Sequence, residues 1–394
     1  MEKSVSKVLI VAGEASGDFH ASRLIGAFKQ LRPEAEVYGV GGPAMRDAGV
    51  RIIRDISGLM TFGVSEVIRH IPNIVVAFLK VLGGISRERP DVVVLVDYPD
   101  FNMWLARAIR WRYGKKPLIL YYITPQVWIW RKYRARVLAR LADRLAVVLP
   151  FEKEFFADLG AKVHFVGHPL LDIEKEGEAA RNPMPNDDIG RKIALLPGSR
   201  VEELKNYMPH IMEAVRLLKE SGGDWRFFIV KAPTLDESDF SPYLGDSSSG
   251  VKIVSGSTQK LIEGAEFAVV AMGTATLETA LAGAPALLIG KVSLLTYLLG
   301  IYLMKMDFEY YSLVNFILKR PAFPELIQDN ISGGNIAQTV MDITSNEHAM
   351  EALRKAAAEV RERLEVEPGK ETKGNTASQR TAAILDEMVM ESHR

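Results

Sequence analysis

Short runs of consecutive apolar residues, rich in β-branched side chains, punctuate the chain. The first set is Val8–Ala12, Val37–Val40, Val92–Val96, Leu118–Ile123 and Leu145–Leu149. These runs are apolar throughout rather than alternating, which predicts parallel strands covered on both faces. Helix-length stretches such as His20–Leu31 and Met103–Arg112 lie between them. That is the β-α-β rhythm of a doubly wound sheet. A polar stretch, Asp172–Arg191, then interrupts the pattern with Glu, Asn, Pro and Gly, and predicts a linker. The rhythm restarts with Ile193–Leu196, Phe227–Val230, Val251–Val254, Phe267–Ala271 and Ala286–Ile289, separated by helical segments such as Glu202–Glu220 and Leu277–Ala282. The expected fold class is therefore α/β, with doubly wound domains at residues 1–171 and 192–344, a linker at 172–191, and charged amphipathic helices at 345–394 packing back. Ligands of such folds bind beyond the carboxyl ends of strands, so the cleft between the two halves is the expected site.

Composition narrows the function. Lys+Arg and Asp+Glu are equal at 49 each, a balance that argues against wholesale nucleic-acid binding. Cysteine is absent, which excludes disulfides, thiolate metal sites and cysteine nucleophiles. The seven histidines are scattered without the paired helical spacing of a zinc site, and His164 and His168 are read as structural. No metal and no cofactor are expected. The first residues enter an apolar strand directly, with no signal-peptide pattern. The longest apolar candidate, Leu294–Met304, falls well short of the ~20 residues that span a bilayer. A cytoplasmic protein is the expectation.

Four loops at strand ends carry candidate chemistry. Gly13-Glu14-Ala15-Ser16-Gly17-Asp18 follows the first strand, but its glycine spacing is not that of a dinucleotide site. Asp18 or Ser16 is read as the cap of the next helix, while Glu14 is left as a candidate acid. In Asp97-Tyr98-Pro99-Asp100-Phe101-Asn102, Asp100 or Asn102 is expected to cap a helix beginning near Met103. That leaves Asp97 at the strand end without a structural task, free to take a proton from an attacking hydroxyl. The competing reading has Asp97 satisfied by backbone amides. In the second half, Gly198, Ser199 and Arg200 precede a helix and suit an anion, unless Arg200 is spent on Glu202 or Glu203. Gly273 and Thr274 open a further helix whose amides suit a diphosphate, and Glu278 lies one turn inside, within reach of ribose hydroxyls.

A fifth feature is a surface. From Met103 through Arg140 there is no acid, whereas arginines and lysines are interleaved with Trp104, Trp111, Trp128 and Trp130. Arg131 belongs to the same stretch, and the apolar segment Ile74–Leu82 lies nearby, with Arg69 and Lys80 close to its ends. Basic residues among tryptophans suit an anionic lipid surface. The plainer alternative is aromatic core with solvated charge.

These motifs together resemble the lipid A disaccharide synthase family. The resemblance rests on Gly13–Asp18, Asp97–Asn102, Pro125–Arg131, Leu149–Lys153, Phe165–Pro169, Leu195–Arg200 and Gly273–Glu278, in order along the chain as far as about Gln328. It implies a GT-B fold of two Rossmann-like domains. It also implies transfer of 2,3-diacylglucosamine from its UDP derivative to 2,3-diacylglucosamine 1-phosphate (lipid X), with inversion, giving a β-1,6-linked disaccharide 1-phosphate and UDP. On that basis Asp97 corresponds to the family's general base, with Glu14 as the other candidate. Arg200, Gly198, Ser199, Gly273, Thr274, Glu278 and Asn315 fall on the donor UDP side. Ser16, Trp128, Trp130 and Arg131 fall on the acceptor or membrane side. The implied partners are the two lipid substrates and the anionic inner face of the inner membrane, with a second copy of the chain as a further candidate. Met272 replaces a small serine, Val314 replaces a proline, and Ile317–Pro324 departs from the pattern. Two rivals stay open: another GT-B enzyme using UDP-N-acetylglucosamine, and a non-catalytic nucleotide-sugar or lipid-binding protein.

Overall fold

The apolar runs form parallel strands. The computed structural model describes residues 5–56, 64–125, 127, 132–175, 190–244, 250–291, 310–366 and 373–393. Within them, β1 (Lys7–Ala12), β2 (Glu36–Gly41), β3 (Arg51–Asp55), β4 (Val92–Val96), β5 (Leu118–Tyr122), β6 (Arg144–Val147) and β7 (Val163–Phe165) make one sheet, in the order β3-β2-β1-β4-β5-β6-β7. A second sheet takes β8 (Arg191–Leu196), β9 (Trp225–Val230), β10 (Val251–Val254), β11 (Phe267–Ala271), β12 (Ala286–Gly290) and β13 (Glu325–Ile327), in the order β10-β9-β8-β11-β12-β13. Burial explains the apolar runs. Every residue of β4 and β11 is buried, because helices cover both faces of the sheet.

Three strands lack an apolar run: β3, β7 and β13. Each is an edge strand with one neighbour. Three of the five residues of β3 are charged (Arg51, Arg54 and Asp55), and β7 and β13 are three residues long. An edge needs less apolar cover, so its sequence signal is weak. Two helices begin earlier than expected. Ala15–Leu31 starts within the Gly-Glu-Ala-Ser-Gly-Asp motif, and Pro99–Tyr113 starts at its proline. Proline is well suited to that first position because the amide it lacks has no helical partner there.

The chain divides into two compact units, Met1–Lys175 with Leu364–Arg394, and Glu176–Arg363. The helix Glu347–Leu364 therefore lies in the second unit up to its last residue. The helix Ala377–Ser392 packs against Ala15–Leu31, β4 and β5 of the first. Asp172 secures that return. Its buried carboxylate accepts from the amides of Ala377 (2.8 Å) and Ser378 (3.0 Å) and from the Ser378 hydroxyl (3.0 Å). Arg380 adds a bond to the Val166 carbonyl (2.7 Å), and Arg144 pairs with Glu387 and Glu391. No described helix is long and apolar enough to cross a membrane.

Each sheet has a switch point where the strand order reverses, at β1/β4 and at β8/β11. Ligands of open α/β sheets bind at such points. The candidate residues stand there: Glu14 and Asp97 after β1 and β4, Arg200 and Gly273 after β8 and β11.

Candidate active site

In the first unit, β1 and β4 are paired neighbours, with Ala12 opposite Val96. Their carboxyl ends bring Glu14 and Asp97 close. Burial, and then the charge of Glu14, push the Asp97 carboxyl up from 3.8 to about 6, against a hydrogen bond from the Tyr98 backbone. A carboxylate tuned toward neutrality is suited to accept a proton at physiological pH. Glu14 itself is exposed, as is Ser16.

The turn that presents Asp97 is unusual. Asp97 and Tyr98 both have left-handed backbones, with φ of 46° and 48°. The Asp97 carbonyl accepts from Tyr121 Oη (2.7 Å) and from Asn102 Nδ2 (2.8 Å), and the same amide group reaches the Val96 carbonyl (3.2 Å). The Tyr98 ring lies over Gly13, where a Cβ would come within 2.2 Å of it. A larger residue there would displace the ring.

These contacts correct two capping assignments. Tyr98 is the cap residue of Pro99–Tyr113, so Asp100 and Asn102 lie inside the helix, Asp100 paired with Arg134 and Asn102 spent on the two carbonyls. Asp18 does not cap its own helix either. Its carboxylate accepts from the amides of Gly42 (2.6 Å), Ala44 (3.0 Å) and Met45 (3.2 Å), holding the start of the helix Pro43–Asp47. The long-range partners of Asp18 and Tyr121 leave no mark in the local sequence.

In the second unit, Gly198 takes φ +114° and Arg200 caps the helix Val201–Glu220. Glu203 accepts from the Ser199 amide (2.7 Å), so that donor is already engaged within the loop. Arg200 is exposed at the helix start. After β11, Gly273 and Thr274 are exposed at the start of Thr274–Leu281, and a Cβ on Gly273 would meet nothing within 4 Å. The loop therefore opens onto free space beside the helix amides. Burial raises the carboxyl of Glu278, which a hydrogen bond with Thr258 partly offsets. Met272 packs over Gly290, where a Cβ would lie 2.5 Å from its sulfur.

Asn315 braces the backbone. It is fully buried, and its amide is used inside the chain: Nδ2 donates to the Phe323 carbonyl and to Glu325 Oε1 (both 2.8 Å), and Oδ1 accepts from the Phe323 amide (2.8 Å). It braces the segment leading into β13. Trp128, Trp130 and Arg131, and the segment Leu294–Met304, lie outside the described residues. Trp104 and Trp111 are not core: they are 63% and 87% exposed. Some of the neighbouring basic residues are spent internally, Arg110 on Asp143 and on the Leu141 and Pro117 carbonyls. His20 and His168 are held neutral, lowered to about 4 and about 3 chiefly by burial.

Comparison with known proteins places this geometry. A family model described as lipid-A-disaccharide synthetase matches residues 8–379. The lipid-A-disaccharide synthase of Syntrophus aciditrophicus (strain SB) is 38% identical over 363 residues, covering 91% of this chain and 93% of that protein. Among solved structures, a putative UDP-N-acetylglucosamine 2-epimerase from Listeria monocytogenes superposes with a TM-score of 0.67 at 14% identity, covering 99% of this chain and 98% of that one. The calicheamicin glycosyltransferase CalG4 gives 0.61 at 12% identity, covering 98% and 99%. The structural likenesses show a fold shared by epimerases and transferases alike, and the sequence match decides between them. Matched along most of its length by that model and by that relative, the chain belongs to the lipid-A-disaccharide synthetase family of glycosyltransferases.

Proposed function

We propose that this enzyme transfers 2,3-diacylglucosamine from its UDP derivative to the 6-hydroxyl of 2,3-diacylglucosamine 1-phosphate. The carrying observation is the acid pair at the first switch point, Asp97 raised to about 6 by burial and by Glu14. The acceptor oxygen attacks the anomeric carbon of the donor as the bond to the UDP oxygen breaks. The hydroxyl proton passes to Asp97, and UDP leaves with the bonding electrons. Arg200 and the exposed amides at Gly273 and Thr274 offset the charge that grows on UDP, and Glu278 serves the ribose. Burial, and then Glu14, keep Asp97 basic enough to accept the proton at neutral pH.

Both substrates carry acyl chains, so we propose that the enzyme works against an anionic membrane surface. The exposed Trp104 and Trp111, with Arg107 stacked on Trp104 at 5.1 Å, support that reading. The test is a mass-spectrometric assay in detergent micelles with both acylated substrates, and with unacylated UDP-N-acetylglucosamine as a parallel donor. A disaccharide 1-phosphate formed only from the acylated donor is expected. Turnover of the unacylated donor alone would overturn the substrate assignment.

A further inference from the structure

We infer that Tyr121 and Asn102 are positioning residues, which fix the Asp97 carboxylate by holding that residue's own carbonyl in an inward, left-handed turn. The inference rests on Asp97 being the base. Two consecutive residues bearing a Cβ adopt a conformation that L-residues disfavour, so the surroundings must impose it. The imposing groups come from two other places in the fold. Tyr121 is on β5, and its register partner on β4 is Leu95, two residues before Asp97. Asn102 is one turn into the following helix. Both are fully buried.

Their polar atoms converge on one oxygen. The hydroxyl of Tyr121 and the amide of Asn102 donate to the Asp97 carbonyl at 2.7 and 2.8 Å. The Asp97 amide donates to the Tyr122 carbonyl at 3.1 Å, and the Asn102 amide to the Tyr98 carbonyl at 3.1 Å. Both peptide groups around the residue are thus tied down, and the direction of its Cα–Cβ bond follows. The Tyr98 ring packed on Gly13 closes the turn from the β1 side, next to Glu14. Without the two donors, the backbone relaxes toward the extended form and the carboxylate moves away from Glu14 and toward solvent. A group that merely capped the helix would affect stability alone. A group that positions the base also sets its proton affinity.

The test compares the full-length enzyme with Tyr121→Phe, which keeps the ring and deletes the hydroxyl. Measured across pH 5–9 are kcat, both KM values, UDP affinity and Tm. Tyr121→Phe is expected to lower kcat about 10–100-fold with donor KM and UDP affinity within about twofold. Its acidic limb should move about one pH unit lower, because the carboxylate regains water. Gly13→Ala, which pushes the Tyr98 ring away, should move the limb in the same direction. A Tyr121→Phe enzyme with parental kcat and parental limb, beside an inactive Asp97→Asn, would overturn the positioning role and leave the base intact. So would a lowered Tm with an unmoved limb. Near-normal turnover of Asp97→Asn would instead remove the base assignment, and the positioning role with it.

Discussion

Asp97 is expected to weaken the fold it serves. Its carboxyl titrates at about 6 in the native protein, against 3.8 for an ordinary aspartate. The native state therefore holds the proton more tightly than the unfolded chain does. Above pH ~6 the partly buried charge costs its full penalty, and as pH falls toward ~4 protonation removes it. At about 1.4 kcal/mol per pH unit, the penalty is roughly 3 kcal/mol. Asp97→Asn places a neutral group of the same shape there and abolishes the cost. The variant should be more stable than the parent by about 2–3 kcal/mol near neutral pH, or roughly 5–10 °C in Tm for a unit of this size. The advantage should shrink through pH ~6 and vanish near pH ~4, where the parent carboxyl is already protonated.

Urea melts followed by tryptophan fluorescence, at three pH values spanning that window, measure the difference directly. The same preparation should lose turnover by about 10²–10⁴-fold, the usual contribution of a positioned base. A gain in stability coupled to a loss of activity is the signature of a group kept for chemistry rather than folding. Two outcomes would refute the reasoning. An Asn variant no more stable than the parent near neutral pH would mean that the carboxylate is not held at a cost. A gain that persists unchanged at pH ~4 would mean that the stabilisation comes from something other than the charge.

Other substitutions separate the remaining parts of the site. Arg200→Ala should weaken UDP binding about 10–100-fold in titration calorimetry, the worth of one charge-assisted contact, and unchanged affinity would remove Arg200 from the donor site. Asp172→Ala strands two buried amides and a hydroxyl at the start of Ala377–Ser392, at a cost of about 3 kcal/mol. That helix should then become the first site of limited proteolysis, and parental protection would contradict the cost. Replacing Trp104 and Trp111 together by Ala should reduce flotation with anionic vesicles, while activity in detergent micelles stays within about twofold. Equal flotation would point the membrane contact elsewhere. The parent's kcat/KM should fall about tenfold per pH unit below ~6 as Asp97 is protonated, and a flat profile down to pH ~5 would be incompatible with that base.

What the sequence made legible, and what it hid, follows from the range of the interactions. Strands β1, β4, β8 and β11 carry their own signal, because a strand covered on both faces must be apolar at every position. Once those strands are located, the residues after them are located too, and Glu14, Asp97, Arg200 and Gly273 stand at the switch points. Elimination singles out Asp97 as the candidate base, but it rests on the wrong partner: Asn102 does not cap a helix but holds the turn of Asp97 itself. The hidden part consists of contacts between residues far apart in the chain. Asp18 serves a helix some 25 residues on, Asp172 one 205 residues on, and Tyr121 reaches Asp97 from the neighbouring strand. A short polar side chain gives the same local signal whether it caps its own helix or another. Asn315 is a further case, since the bonds by which its side chain braces the segment before β13 reach eight and ten residues on. The local pattern thus fixes where the candidate residues sit. How Asp97 is aimed depends on two buried donors, Asn102 in the next helical turn and Tyr121, which only the folded topology brings in, so a substitution remote from the substrate, such as Tyr121→Phe, is the one that tests whether the fold does more than carry the acid.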